Sequence, residues 1–449
     1  MRLEDDIRGM PIQQIYKRDG SLVPFDRFKI LRAIHKSFME VGEGSVELSE
    51  KLCNQVIDIL ENNFPSDIPA VEEIQDTIER TLINDGHNNI AQAFVVYRQK
   101  RKEIREKQEC GLIENIPYKN IWNGLIWSLD HSCETINKLN AHIKNGTYPQ
   151  LVKDAEGVYE QELDKIVANI LKKRDVIRMI IVSGPSSSGK TTTTERLAEK
   201  LKTHNIELVK LTVDNYFKGL NSYLKDGHGD YDFEGPEALD LPLINEHLAK
   251  LIKGETIQVP RYDFKTGYRE KGTDPLRIKE NQFILIDSHF GLYDKLTESI
   301  PTNFKFGLYL ETLCQLRMSN GRFVRWTDIR MLRRMIRDMQ YRAYDPKKTA
   351  GHWHYVRRGE LKNLIPYITK ANYIVNTSLP YELPILKHKL FKYFPDIIQA
   401  YKDDQGRQDA YIRAQRVYDL LSTIEIWSDE SVVPQQSLLR EFIGGGIYH

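Results

Sequence analysis

The chain has 449 residues, a length that predicts roughly two to four domains. Hydrophobic residues make up 41% and charged residues 28%, so the composition allows a globular core of normal size. The chain has 64 basic and 63 acidic residues, so its formal net charge is +1. This net charge does not favour binding to nucleic acid or to an anionic membrane. Any phosphate must therefore be bound by local charge.

The N-terminal sequence, the lengths of the apolar runs and the cysteine pattern favour a cytoplasmic protein. The first ten residues lack the apolar core of a signal peptide, and no apolar run is long enough to span a bilayer. The cysteines form no CxxC motif and stand near no histidine at metal-ligand spacing, which is typical of reduced structural thiols. We therefore expect a cytoplasmic location, with neither a membrane nor a nucleic acid as partner.

The spacing of apolar residues changes along the chain and separates it into regions. An N-terminal region begins with a short strand-like stretch and a turn at Asp19-Gly20, and then shows helical spacing, for example at Ile30, Ile34 and Phe38. A connector with helical periodicity follows, and from about residue 175 short apolar runs alternate with helical stretches. We predict four segments in this order: an N-terminal domain at 1–107, a helical connector at 108–174, a main domain at 175–395, and a helical segment with a tail at 396–449.

The main domain has the pattern of a parallel sheet. Its candidate strands are 179–183, 208–213, 283–287, 306–310 and 373–376. Apolar strands separated by helical stretches are typical of a parallel sheet that is buried on both faces and joined by right-handed crossovers. The predicted fold class is therefore α/β, with a P-loop NTPase-type parallel sheet and flanking helices behind a small, mostly helical domain.

The strongest motif is GPSSSGKT at 184–191, which matches the phosphate-binding pattern GxxxxGK[ST] and stands between a strand and a helical stretch. Its backbone N–H groups and the positive end of the helix can surround a phosphate chain. Lys190 adds a positive charge, and Thr191 offers a hydroxyl to Mg²⁺. The alternative is a Ser/Gly-rich turn without a ligand. The candidate nucleotide contacts are Gly184, Ser186, Ser187, Ser188, Gly189, Lys190, Thr191 and Thr192.

Two acids follow predicted strands. Asp214 closes the strand at 208–213 and Asp287 closes the strand at 283–287, so both should emerge at the sheet edge that carries the loop. One acid could help to hold Mg²⁺, and the other could orient or deprotonate an attacking hydroxyl. The strand pattern does not assign these two roles, and either acid alone could simply cap the next element.

A cluster of arginines lies between residues 330 and 342. On a helix, Arg330, Arg334 and Arg337 would lie close to one face. Guanidinium groups match phosphate oxygens, and a mobile helix could carry them over a nucleotide as a lid. The alternative is a solvated basic helix that is paired with acids.

Six stretches carry a family resemblance in the span from Ile180 to about Leu390. In chain order they are GPSSSGKT, VDNYFKG, YDFEGPEALDLPL, PRYDFKTGYR, ILIDSHFGLYD and RRMIRDMQYR. The loop motif alone would be weak evidence, whereas all six stretches in this order are a specific match. The span resembles the uridine kinase and phosphoribulokinase family.

This resemblance implies roles for particular residues. Asp214 would be the catalytic acid beside the acceptor hydroxyl, with Lys190, Arg334 and Arg337 contacting the phosphates of ATP. Asp287 takes the place of the acid that ends the second nucleotide-binding strand, so with Thr191 it is the expected Mg²⁺ ligand. The residues in the implied acceptor site are Tyr216, Asp232, Glu234, Tyr262 and Arg269.

The chain also departs from the family pattern. Gly267 stands where kinases of uridine and cytidine commonly have a histidine, which leaves pyrimidine specificity open. Asp287-Ser288-His289 replaces a common Glu-Gly-Ile. The stretches GHWHYVRRGELKNLIPY and VVPQQSLLREFIGG resemble a bacterial subgroup of long uridine-kinase-like proteins, whose substrate does not follow from the sequence.

The N-terminal region carries a second resemblance, in the stretches IYKRDGSLVPFDRFKILRAI, EEIQDTIERTLI and AFVVYRQKRKEIR. It resembles an ATP-cone, the small regulatory module of ribonucleotide reductases. The resemblance implies that Lys17, Arg18 and Lys29 contact a nucleotide. A Lys-Arg pair before an Asp-Gly turn can place two cations at a hairpin tip, although an exposed basic turn without a ligand is the alternative.

Together these patterns predict an ATP- and Mg²⁺-dependent phosphotransferase with an alcohol group as acceptor. Its acceptor would be a small molecule, with a nucleoside as the first choice, and the ATP-cone could regulate it. We also expect a homo-oligomer. The alternatives are a kinase for another acceptor such as 2-phosphoglycerate, and a non-catalytic nucleotide-sensing protein. All of this requires that Lys190 and Asp214 face one open cleft.

Overall fold

The computed structural model describes residues 12–17, 22–41, 46–65, 68–96, 98, 116–218, 235–263, 266 and 268–448. The chain divides into two compact units, Met1–Gly111 and Leu112–His449. No helix in the described ranges combines the length and the apolar character that a membrane crossing requires.

The smaller unit is a hairpin followed by helices. Strands β1 (Gln14–Tyr16) and β2 (Leu22–Pro24) pair antiparallel, and they precede the helices α1 (Arg27–Val41), α2 (Val46–Asn63) and α3 (Val71–Asn84). The predicted helical spacing is confirmed, because Ile30, Ile34 and Phe38 all lie in the buried core of this unit. That core is shared with apolar residues of α2 and α3.

The larger unit is built on a parallel sheet. Its strands are β3 (Met179–Ser183), β4 (Glu207–Lys210), β5 (Ile257–Asp263), β6 (Tyr268–Leu276), β7 (Gln282–Asp287), β8 (Lys305–Glu311) and β9 (Tyr373–Asn376). The order β4-β7-β3-β8-β9 forms the sheet, and all of its strand pairs are parallel. Strands β5 and β6 form a separate antiparallel hairpin. The predicted α/β class with a parallel sheet is therefore confirmed.

Both faces of the sheet are buried. Side chains alternate across a strand, so Ile180 and Val182 of β3 point to one side while Met179 and Ile181 point to the other. The two pairs belong to two different hydrophobic clusters, one on each side of the sheet. This explains why the strand reads as a continuous apolar run.

Helices cover these two faces. They are α4 (Tyr118–Asp130), α5 (Ile136–Lys144), α6 (Tyr148–Leu171), α7 (Lys190–Lys202), α8 (Leu241–Ile252), α9 (Trp326–Arg342), α10 (Pro346–Asn363), α11 (Glu382–Leu390), α12 (Phe394–Tyr401), α13 (Gln408–Ser422) and α14 (Arg440–Ile443). One hydrophobic cluster contains Leu151 and Ile166 of α6, Val182 of β3, and Val417 and Leu439 near the C-terminus. The core is thus continuous across positions 174 and 395, and the domain boundaries drawn there stay predictions.

One strand ends earlier than the sequence predicted. Strand β4 stops at Lys210 rather than at residue 213, and Val213–Tyr216 forms a 3₁₀ turn closed by a hydrogen bond from Asn215 N–H to the carbonyl of Thr212. Asp214 therefore lies in a turn beyond the strand, whereas Asp287 is the last residue of β7. The β5–β6 hairpin was not predicted, because its strands carry prolines and charges that hide a strand pattern.

Candidate active site

A cleft of about 290 Å³ opens where the loop after β3 meets the ends of β4 and β7. Predicted residues from separate parts of the chain line it: Lys190, Thr191, Asp214, Asp287 and Arg337. The convergence of the loop with the two acids follows from the parallel sheet, since the carboxyl ends of its strands share one edge. Lys190 and Asp214 therefore do face one cleft.

The loop itself is a tight strand-to-helix turn. Ser187 and Gly189 have left-handed backbone conformations, with φ of 59° and 86°. Gly184 lies so close to β8 that a Cβ atom there would stand 2.5 Å from the carbonyl oxygen of Leu310. These positions explain why the motif needs glycine at its first and sixth residues.

Several buried polar atoms in residues that line the cleft lack a partner. The hydroxyls of Ser187 and Ser188 and the Nε atom of Arg337 are buried and have no hydrogen bond to any other part of the chain that the structure describes. A buried polar group without a hydrogen bond costs about 1–3 kcal/mol. All of these residues line the cleft, so a ligand rich in oxygen atoms would satisfy them.

Lys190 is curled back onto its own loop. Its ammonium group donates to the carbonyls of Gly184 and Pro185, each at 3.0 Å. Burial lowers the pKa of Lys190, whereas the negative charges of Asp287 and Glu441 raise it. A phosphate oxygen would give this half-buried ammonium the anionic hydrogen-bond partner that the carbonyls do not supply.

The two acids lie in different electrostatic settings. Asp287 is 12% exposed, and its Oδ2 lies 3.5 Å from the Nζ atom of Lys210. Desolvation and the negative charge of Asp287 raise the pKa of Asp214 above its ordinary value, while Lys190 and Lys210 act in the opposite direction. Asp214 therefore binds a proton more readily than a free aspartate does.

The cleft fits a magnesium ion that is completed by a substrate. Among the described residues, no group of three or more His, Cys, Asp or Glu side chains could hold a metal alone. Mg²⁺ prefers oxygen ligands and is commonly bound through one or two protein groups together with phosphates and water. The hydroxyl of Thr191 and the carboxylate of Asp287 line the same cleft and are suited to that arrangement.

The arginines of α9 divide into two kinds. Arg330 is 1% exposed, and its guanidinium donates to both carboxylate oxygens of Glu360 at 2.6 and 2.9 Å. Arg330 also donates to the carbonyl of Ser186, and Glu360 accepts from the Ser186 N–H. The predicted grouping of Arg330 with the lid arginines is therefore corrected: this pair holds the loop in place from behind.

Opposing effects set the charge of Glu360. Burial raises its pKa, but the charges of Arg330 and Arg357 outweigh burial and hold the pKa of Glu360 at about 2. The carboxylate is thus ionised wherever the protein is folded near neutral pH. A buried, fully paired carboxylate at this position fixes Ser186 through both its N–H and its carbonyl.

The predicted lid arginines lie at the loop. Arg334 donates to the hydroxyl of Ser186 at 3.1 Å and to Asp338 at 3.2 Å, and Arg337 lines the cleft. The helix that carries them is not a separate lid, however. Met331, Leu332, Met335 and Ile336 on its other face are buried in the core. The expected mobile lid helix is therefore wrong for α9 itself.

The implied acceptor residues that the structure describes do not line the cleft. Tyr216 is fully buried, and its hydroxyl is hydrogen-bonded to Nδ1 of His247 at 2.8 Å, because the 3₁₀ turn directs it into the core. Tyr262 is largely buried on β5, and Arg269 on β6 pairs with Asp240 at 2.9 Å. Asp232 and Glu234 lie outside the described residues.

The predicted nucleotide contacts of the smaller unit are only partly described. Lys17 is exposed directly after β1, and Lys29 on α1 lies 3.9 Å from the carboxylate of Asp26. Arg18 lies outside the described residues. Their joint role in binding a nucleotide stays a prediction.

The structure adds residues that the sequence interpretation missed. His289 donates from Nδ1 to the carbonyl of Gly184 at 3.0 Å and lies 3.5 Å from Nζ of Lys190. Desolvation and the charge of Lys190 hold the pKa of His289 well below its ordinary value, so the ring is neutral. In the sequence, the replacement of the family's Glu-Gly-Ile by Asp287-Ser288-His289 marked this position as unusual, but it did not indicate what His289 does.

A second missed residue is Glu441, which reaches the loop from the C-terminal segment. Its Oε2 accepts hydrogen bonds from the N–H of Thr192 at 3.2 Å and from the Thr192 hydroxyl at 3.1 Å. Burial raises the pKa of Glu441, while the charges of Arg337 and Lys190 lower it. Thr192, a predicted nucleotide contact, thus already has an anionic partner, and no strand-end rule points to an acid about 250 residues away.

A larger cavity of about 340 Å³ lies between α4, α6 and the ends of β8 and β9. Two of its amide groups are bonded within the protein: Asn120 donates to the carbonyl of Ile374, and Gln315 donates to that of Leu313. The smaller cleft combines the phosphate-binding loop with Lys190, Asp214 and Asp287. It is therefore the candidate active site.

The sheet, the loop and the cleft define a P-loop α/β protein. The sequence profile of the phosphoribulokinase / uridine kinase family matches residues 179–381, and that of the ATP cone domain matches residues 13–103. A uridine kinase of Bacillus pumilus is 30% identical over 165 residues, which are 37% of this chain and 69% of that protein. The chain belongs to the phosphoribulokinase / uridine kinase family.

Other relatives match smaller parts of their own length. A uridine kinase of Schizosaccharomyces pombe is 30% identical over 171 residues, which cover 38% of this chain and 33% of that protein. A vitamin B12-dependent ribonucleoside-diphosphate reductase of Thermoplasma acidophilum is 38% identical over 103 residues. That match covers 22% of this chain and 13% of the reductase, so this chain spans only a small part of the reductase.

A solved structure described as a possible uridine kinase from Bacillus stearothermophilus aligns with 48% of this chain and 98% of that chain. The TM-score is 0.31 and the sequence identity is 17%, too low for any conclusion about the site. Family membership therefore rests on the sequence matches.

Proposed function

We propose that this chain is an ATP- and Mg²⁺-dependent kinase that phosphorylates an alcohol group of a small metabolite, with a nucleoside as the acceptor class. One observation carries the proposal: Lys190, Asp214 and Asp287 share a cleft with the unpartnered hydroxyls of Ser187 and Ser188. These groups are what a kinase needs for the phosphates of a nucleotide and for the proton of an acceptor. The family match supports the same reaction class.

The phosphate chain of ATP would lie along the loop. The first turn of α7 offers N–H groups without a helical partner and a positive dipole end, and Lys190 would turn from the loop carbonyls to the phosphate oxygens. Arg337, which lines the cleft, and Arg334, which donates to the hydroxyl of Ser186 in the loop, would contact the transferring group. Bound Mg²⁺, held by Thr191 and Asp287, would neutralise charge that develops on the phosphates.

Asp214 is the proposed base. The acceptor oxygen forms a bond to the γ-phosphorus, the bond from that phosphorus to the β–γ bridging oxygen breaks, and ADP leaves. The hydroxyl proton passes to the carboxylate of Asp214. Its raised pKa favours proton capture, and its position in the cleft favours orientation of the hydroxyl.

The nucleoside acceptor is supported by the relatives that are named uridine kinases. Gly267, which replaces the histidine typical of pyrimidine nucleoside kinases, lies outside the described residues. An anionic acceptor such as 2-phosphoglycerate is the second candidate, because Arg269 has a buried Nη1 atom without a hydrogen bond to any described group.

An acceptor screen tests the proposed function. The full-length protein with ATP and Mg²⁺ is incubated with nucleosides, simple sugars and glycerates including 2-phosphoglycerate, and ADP and the phosphorylated product are measured. We expect product formation with a nucleoside. The matched blank is Lys190→Ala, which lacks the loop ammonium. Product only from a glycerate or a sugar would change the acceptor class, and no ATP consumption above the blank would leave a nucleotide-sensing protein.

A second nucleotide site is proposed in the smaller unit, supported by the match to the ATP cone domain. We expect calorimetry with ATP on the full-length protein to show two sites in the wild type. Lys190→Ala should retain one site, whereas the double change Lys17→Ala and Lys29→Ala should retain the other. Loss of all binding in Lys190→Ala would contradict a second site. Regulation would additionally require that ATP at one site changes affinity at the other.

A further inference from the structure

The C-terminal segment, residues 434–448, supplies a carboxylate to the phosphate-binding loop. Glu441 in this segment accepts hydrogen bonds from both the N–H and the hydroxyl of Thr192. Thr192 lies in the first turn of α7, where N–H groups without a helical partner bind anions. Glu441 also lines the cleft with Lys190 and Asp214. An acid of the chain itself therefore occupies part of the anion site.

The backbone of this segment is firmly held. Leu438 and Phe442 are fully buried, and Leu438 packs so closely against Gly189 that a Cβ atom there would stand 2.3 Å from a methyl carbon of Leu438. The hydroxyl of Ser437 donates to Glu156 at 2.6 Å. Release of the segment would expose these apolar side chains to water. A rotation of the Glu441 side chain alone can free the donors of Thr192 without moving the backbone.

The cations near Glu441 are those that a phosphate chain needs. Arg337 and Lys190 exert the positive charges that act on the Glu441 carboxylate. Arg337 still has a buried Nε atom with no hydrogen bond to a described group. A nucleotide that enters the cleft therefore meets a carboxylate that is bonded to one of its donors and that lines the cleft together with Lys190 and Arg337.

We propose that Glu441 competes with the phosphate chain of the nucleotide for Thr192, and so lowers nucleotide affinity and assists product release. This inference rests on the proposed function, since it assumes that the loop binds phosphates. The carboxylate turns away when a phosphate takes the donors of Thr192, and it returns when the nucleotide leaves. Glu441 thereby acts through Thr192 and contacts no reacting atom, so it is a positioning residue.

Two variants of the full-length protein test this inference. Glu441→Gln removes the charge and keeps the shape of the side chain, and Glu441→Ala removes the competing group. Isothermal calorimetry with ADP and with inorganic pyrophosphate, each with Mg²⁺, should give a Kd roughly tenfold lower in both variants, the effect of losing one charge-assisted hydrogen bond. In turnover assays, KM for ATP should fall by more than kcat changes.

The matched control is Glu430→Gln. Glu430 precedes the same segment and pairs with Lys389 at 2.6 Å, but it does not line the cleft. The Kd of the Glu430→Gln variant for ADP should therefore stay at the wild-type value. Tryptophan fluorescence in urea should show an unchanged midpoint for all variants that fold normally. If Glu441→Ala is destabilised, the isosteric Glu441→Gln decides.

The possible outcomes distinguish a failure of the proposed role of Glu441 from a failure of the proposed kinase function. Wild-type binding of ADP and pyrophosphate with equal or weaker binding in the normally folded variants would overturn the role of Glu441 and leave the kinase proposal intact. If neither the wild type nor the variants bind ADP or pyrophosphate, the loop does not bind phosphates, and the proposed function fails together with the inference.

Discussion

Asp214→Asn is expected to lower kcat by about 10²–10⁴-fold, the usual contribution of a general base, and to change the Kd of ADP little. The amide keeps the size and one hydrogen-bond acceptor of the carboxylate, but it cannot take the acceptor's proton. The side chain of Asp214 makes no hydrogen bond to the described residues of the loop, and it lies in a turn that lines the same cleft. Steady-state turnover and calorimetry with ADP measure the two quantities.

The control for this variant is Asp175→Asn in the same unit. The side chain of Asp175 is 96% exposed, so its replacement should leave kcat and the Kd of ADP unchanged. If Asp214→Asn retains kcat within about threefold of the wild type, a general base at this position is excluded on the magnitudes above.

The pH dependence of kcat gives a second measure of the same residue. Asp214 accepts a proton only when it is ionised, and desolvation together with the charge of Asp287 raises its pKa. The rate should therefore fall as the pH decreases through a value above that of an ordinary aspartate. This acidic limb should be absent from the residual rate of Asp214→Asn. An identical limb in both proteins would assign the titration to another group.

Local sequence was sufficient to predict the sheet and the core of the candidate site. The strand at 179–183 was predicted with its observed bounds, because each of its residues is apolar or small and buried. The eight residues of the loop motif, 184–191, were sufficient by themselves to predict phosphate binding. Asp214 and Asp287 could be brought to that loop by topology alone, since parallel strands present their carboxyl ends at one edge.

The rest depends on contacts between distant residues of the same types. Arg330 and Arg334 share one helix and are one turn apart, yet Arg330 pairs with Glu360 on α10, whereas Arg334 pairs with Asp338 on its own helix and donates to the hydroxyl of Ser186. Glu441 carries no motif, and its position at Thr192 follows from the packing of Leu438 against Gly189. Such partnerships require the three-dimensional fold, because sequence spacing within one element does not specify them.

Arg330→Met is expected to destabilise the larger unit by about 3–5 kcal/mol, the cost of leaving one member of a buried ion pair uncompensated. The change removes both hydrogen bonds to Glu360, the donor to the carbonyl of Ser186 and the ion pair with Glu311 at 3.1 Å, whereas Glu360 keeps Arg357. Urea unfolding followed by tryptophan fluorescence measures this unit alone, since all 5 tryptophans lie beyond residue 111. The ring of Trp353 lies 5.7 Å from the Arg330 guanidinium and reports directly on the site.

A double-mutant cycle with Glu360→Leu separates the stability of this pair from its effect on the loop. Removing both partners takes away the Glu360 charge but leaves Glu311, which pairs with Arg330 at 3.1 Å, without this cation, so the double variant should recover only part of the stability lost in Arg330→Met. It should still bind ADP more weakly than the wild type, because Ser186 has lost the groups that hold its N–H and its carbonyl. Lys250→Met, which breaks the exposed pair with Glu246, should leave the midpoint nearly unchanged. If the double variant is no more stable than Arg330→Met, or binds ADP as the wild type does, the pair does not act as a charge-compensated clamp on the loop.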